Sequence, residues 1–130
     1  MDKAWLVSRI EKRLDEGEGV GLAQPALWGW VLLSVVGDVE GWHPLTLTSG
    51  YRSPEAQEEL RQRWEQGDRA GITGAPAFDS WHTQGLAFDV ARNVDVDAYG
   101  ALWQSLGYRW GGGFRSPSPL HFDTGGRYLA

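Results

Sequence analysis

Apolar and polar positions divide the chain into helical blocks first and short strands afterwards. From Lys3 to Glu16 apolar side chains return at Trp5, Ile10 and Leu14, roughly one face of a first helix. Residues 16–21 carry Gly17, Gly19 and Gly21 and read as a turn. Pro25 suits the first turn of a second helix, running to about Val36 and ended by Gly37. Leu45 to Ser49 alternates apolar and hydroxyl residues, as a half-buried strand does. Ser53 as N-cap, Pro54 at the first helical position and Gly67 as a stop frame a third helix. Its apolar face is Ala56, Leu60 and Trp64. Residues 67–79 read as a long Gly-, Ala- and Pro-containing loop, of the kind that borders a functional groove. A strand is expected at Leu86–Ala91, a fourth helix at Asp97–Leu106, a flexible glycine run at 111–114 and a last strand at Leu120–Thr124. The pattern predicts one α+β domain over residues 1–130, with a small, mainly antiparallel sheet packed against helices.

Composition narrows the functions open to such a domain. Its 130 residues suffice for one hydrophobic core. A net charge of −5 argues against nucleic acid or anionic lipid as a partner, since both require clustered Lys and Arg. The most apolar run, Ala26 to Val36, is about half the ~20 residues a membrane span requires. Cysteine is absent, which excludes disulfides and thiolate sites and leaves His, Asp and Glu as the strong metal ligands. Eight tryptophans are expected mainly in the core, with one or two able to stack on a sugar.

The chemistry concentrates in SWHTQGLAFDV, residues 80–90. His82 and Asp89 flank Gly85, where the backbone can turn back, and His121 on the last strand can add a second imidazole. Two imidazoles and one carboxylate leave an open position on a zinc ion, the arrangement of catalytic zinc. Spacing alone leaves a second reading open, in which these are hydrogen-bonded structural histidines.

The motifs SGYRS (49–53), SWHTQGLAFDV, WGGGF (110–114) and LHFD (120–123) follow one another in this order. Together they make the chain resemble the zinc D-alanyl-D-alanine carboxypeptidase and L-alanyl-D-glutamate endopeptidase family, which cleaves peptidoglycan stem peptides on a Hedgehog/DD-peptidase fold. The resemblance spans about residues 45–124 and implies Zn²⁺ held by His82, Asp89 and His121. Such an ion lowers the pKa of water from ~15.7 to about 7 and polarises a carbonyl. The resemblance also implies that Arg52 clamps a substrate carboxylate through paired charged hydrogen bonds. Ser80 and Gln57 are weaker candidates, Ser80 for tying the loop near His82 and Gln57 as a helix-surface residue. His43, just before Pro44, is expected to be structural or solvated.

One position departs from the family pattern. Where the family places Asp or Glu three residues before the last histidine, this chain has Ser118. Serine cannot accept a proton from attacking water at neutral pH, and a positioned general base is worth ~10²–10⁴-fold in rate. Asp123, on the same strand face as His121, is a candidate substitute base, and a supporting carboxylate beside the site is its competing role. Asp79 is a poorer candidate. The expectation is therefore a peptidoglycan metallopeptidase, weakened or inactive at Ser118, or a non-catalytic module that binds a wall peptide or a protein. The first residues show no signal-peptide pattern. Synthesis in the cytoplasm and delivery by lysis, injection or another route is the matching expectation, as for a phage endolysin or the cargo of a phage-like particle. The catalytic domain is expected to be monomeric.

Overall fold

The computed structural model describes residues 1–72, 76 and 80–125. Four helices, α1 (Lys3–Gly19), α2 (Ala26–Glu40), α3 (Pro54–Glu65) and α4 (Val96–Ser105), surround four short strands. The strands are β1 (Leu47–Ser49), β2 (Ala87–Val90), β3 (Arg109–Trp110) and β4 (His121–Asp123). They form one antiparallel sheet in the order β1-β2-β4-β3. The α+β class and the antiparallel pairing are those expected, whereas β3 (Arg109–Trp110) is not among the three expected strands. Among the described residues no helix is long and apolar enough to cross a membrane.

The central pair, β2 and β4, sorts side chains by face. Phe88 lies opposite Phe122 and the two rings stack at 5.2 Å, both fully buried. Trp30 from α2 and Trp103 from α4 meet the Phe88 ring edge-on at 5.4 and 5.3 Å. Because strand side chains alternate between faces, the next pair, Asp89 opposite His121, points away from this core. The aromatic residues thus set the register that delivers the polar pair. Trp30 and Trp103 are core rings, as expected of most of the eight, whereas Trp28 is half exposed.

Two glycine expectations change. Gly37 does not end α2, which continues to Glu40 and stops at Gly41 in the left-handed region (φ 76°). Gly37 is instead a contact surface, since a Cβ there would collide with the Tyr99 phenol. The Tyr99 hydroxyl in turn donates to the His43 carbonyl at 2.9 Å. Gly→Ala inside a helix normally stabilises by about 0.5–1 kcal/mol. Gly37→Ala is expected to reverse that sign and destabilise by about 1–3 kcal/mol through overpacking, as read by urea denaturation. A more stable variant would contradict the packing of Tyr99. The glycine run is also no free linker. Gly111–Gly113 is a 3-10 turn, and a Cβ on Gly111 would strike the Ser118 carbonyl oxygen.

Candidate metal centre

Each of the three side chains reaches the sheet face by a different local device. Ser80 caps a 3-10 turn, Trp81–Gln84, by accepting the His82 N–H at 3.2 Å. Gly85 closes that turn at φ 72°, where a side chain would be strained. The turn sets His82 beside β2, which supplies Asp89, while β4 supplies His121. One ligand atom from each of the three lies within 4.8 Å of the others.

Hydrogen bonds orient both imidazoles. His82 Nδ1 donates to the Gly50 carbonyl at 2.7 Å, which turns its Nε2 toward Asp89 Oδ2 at 3.4 Å. His121 places Nδ1 3.2 Å from Asp89 Oδ1 and Nε2 2.7 Å from Asp123 Oδ2. Ser49 donates its hydroxyl to Asp89 Oδ2 at 2.8 Å. Burial alone would raise the Asp89 pKa, but hydrogen bonds from His121 and His82 outweigh it and hold the carboxyl well below the usual range. Burial would lower the His121 pKa, yet its bonds to Asp123 and Asp89 push it up to about 9. The cluster is thus an anionic carboxylate between two imidazoles, each fixed from behind by an oxygen.

Asp123 sits behind His121, away from the cluster. It is fully buried, and both oxygens are engaged: Oδ2 with His121, and Oδ1 with the Gly125 N–H (2.8 Å) and the Arg109 guanidinium (3.2 Å). Both carboxylate oxygens of Asp123 therefore have partners within the fold. Ser118 is half-buried, its N–H bonded to Gly111 O and its carbonyl accepting the His121 N–H. Arg52 lies next to the cluster through its backbone, its N–H donating to the His82 carbonyl at 2.9 Å. Gln57, expected on a helix surface, is 3% exposed and accepts the Arg52 guanidinium at 2.7 Å. Among the described residues His43 is held through backbone contacts to Asp95, Asn93 and Tyr99. Asp79 and residues 73–75 and 77–78 of the predicted 67–79 loop lie outside the described residues.

Sequence reasoning passed over Ser49, the Gly50 carbonyl and Arg109. Ser49 and Gly50 stand inside the SGYRS motif, which was a usable signal. Nothing in the letters pairs Arg109 with Asp123, because only the β3–β4 register brings them opposite.

Fold and site together define an α+β domain whose antiparallel sheet carries a His–Asp–His cluster able to take a metal ion. No protein-family model matches the sequence, and no curated protein does. Among solved structures the chain is similar in fold to the L-Ala D-Glu endopeptidase ChiX of Serratia marcescens, with a TM-score of 0.55. The two are 21% identical, and the match covers 90% of this chain and 86% of ChiX.

Proposed function

We propose that the protein is a zinc-dependent peptidase of peptidoglycan stem peptides, of carboxypeptidase or endopeptidase type. The observation that carries this reading is the convergence of His82, Asp89 and His121 on one point. The donor set fits zinc. Ligands bound at ~2.0–2.1 Å in a tetrahedron stand about 3.4 Å apart. Asp89 Oδ1 lies 3.2 Å from His121 Nδ1 and Asp89 Oδ2 3.4 Å from His82 Nε2. One ligand atom from each residue lies within 4.8 Å of the others, a spread that a small inward movement closes onto an ion. Each imidazole donates its other N–H to an oxygen, the usual support of a metal-bound histidine. The likeness of fold to an L-Ala D-Glu endopeptidase supports peptidoglycan as the substrate.

Bound there, zinc would supply a Lewis acid and a more acidic water. The chain's own residues do the rest. Arg52 holds a substrate carboxylate, with its guanidinium steadied by Gln57. Ser80 fixes the turn that aims His82. Ser118 stands at the acid/base position and can donate or accept a hydrogen bond but cannot carry the proton. That favours a second reading, a zinc-containing module that binds a wall peptide or a protein partner without turnover. Delivery to the wall by lysis or a phage-like particle is part of the first reading.

A chelator experiment tests the metal. Zinc at 100–1,000 times its dissociation constant should stabilise the chain by roughly 3–4 kcal/mol, and EDTA should remove that gain in a thermal melt. Melting unchanged by zinc and EDTA would sink the reading.

A further inference from the structure

A concavity opens where β4 begins. It encloses about 660 Å³, within the roughly 300–1,000 Å³ of small-ligand pockets, and none of the three cluster side chains lines it. Its two walls are prebuilt. One is the 43–44 segment, pinned by Asn93 Nδ2 to the His43 and Pro44 carbonyls and by Tyr99 to His43. The other is the 117–120 segment. There the Ser118 N–H donates to Gly111, Trp110 Nε1 donates to the Pro119 carbonyl at 2.8 Å, and the Leu120 carbonyl accepts the Val90 N–H. With the scaffold's hydrogen bonds used internally, few groups remain to recognise a ligand. The chief one is Arg92, which lines the space and makes no hydrogen bond or ion pair among the described residues. Among the described residues no carboxylate lines the cavity, and nearby Asp95 accepts the His43 N–H on Oδ2 at 2.6 Å. A guanidinium in a hollow that no described carboxylate lines, on a chain of net charge −5, favours an anion.

We propose that this cavity is a second recognition pocket that takes a carboxylate-bearing residue of the peptide substrate, with Arg92 as its partner. The inference rests on the peptidase reading, because the 118–121 segment joins the cavity to His121 and a peptide crossing it would reach both places. Apolar Val94, Val96 and Leu120 suit the aliphatic stem of such a residue.

The test uses the full chain, isotope-labelled, and two synthetic peptides: L-Ala-γ-D-Glu-L-Lys and the same peptide with the glutamate α-carboxylate amidated. The free acid should shift the amide resonances of residues 92–96 and 117–120 and bind about tenfold more tightly than the amide. Arg92→Gln is exposed and should keep the wild-type spectrum. It should abolish that tenfold difference while leaving the amide's affinity unchanged. Shifts confined to residues near Arg52, His82 and His121, or a preference that survives Arg92→Gln, would overturn the inference and leave the peptidase reading standing. Shifts at the cavity walls without any near Arg52 and His82 would show peptide binding at the cavity but remove both the peptidase reading and the pocket's role in its substrate. No response at either place would end both.

Discussion

Ser118→Asp should raise the kcat/KM for a stem peptide by about 10²–10⁴-fold, the usual worth of a positioned proton carrier. The residue precedes His121 by three positions, and its carbonyl accepts the His121 N–H, so its backbone is tied to the cluster. Both of its main-chain bonds, to Gly111 and from His121, are independent of the side chain. A carboxylate can therefore be added without moving the support. Half-buried Ser118 is also open enough to solvent for the added carbon and oxygen to avoid a full desolvation penalty. Among the described acids no substitute is poised to compete: Asp89 is committed to both imidazoles, and Asp123 is locked behind one of them. Steady-state hydrolysis of a muropeptide, with zinc content measured in parallel, gives the answer. Ser118→Asn, equal in size but unable to carry a proton, should show no gain. If the aspartate variant holds zinc and still cuts nothing, the binding-module reading replaces the peptidase.

What could be read from the letters was the local chemistry. Ser53 caps α3 and Pro54 opens it, as their types require. Gly85 reverses the chain between two ligand candidates, and the alternation of β2 separates Phe88 from Asp89. These signals act within a few residues, so spacing exposes them. The errors arose where tertiary contacts decide. Gly37 has the composition of a helix stop but serves the approach of Tyr99, which lies on another helix. Gln57 looks like one more polar position on α3, and only its burial against Arg52 marks it out. Asp123 was legible as sharing a face with His121, but strand periodicity cannot tell which ring nitrogen it meets. That depended on Arg109 and Gly125 drawing its other oxygen away.

Asp123→Asn should weaken zinc affinity by about 10–100-fold, the usual effect of losing the partner behind a metal-bound histidine. An asparagine oxygen can still accept the His121 Nε2–H, but its amide would then face two other donors, Gly125 N–H and Arg109. At least one of these three contacts must fail, and the negative charge opposing His121 is lost in any case. The same variant has a signature in metal-free protein. The His121 pKa rises from 6.5 to about 9 on folding, so its proton stabilises the fold fully below pH 6.5. That contribution, at most roughly 3 kcal/mol, disappears as pH climbs through about 9. Urea denaturation of the EDTA-treated wild type should therefore show stability falling across this window. The slope in Asp123→Asn should be clearly shallower. Zinc should compete with the same proton, so wild-type affinity should drop as the solution is acidified below about pH 9. Equal zinc affinities and coincident pH slopes in the two proteins would mean that Asp123 braces only the strand and does nothing through the imidazole.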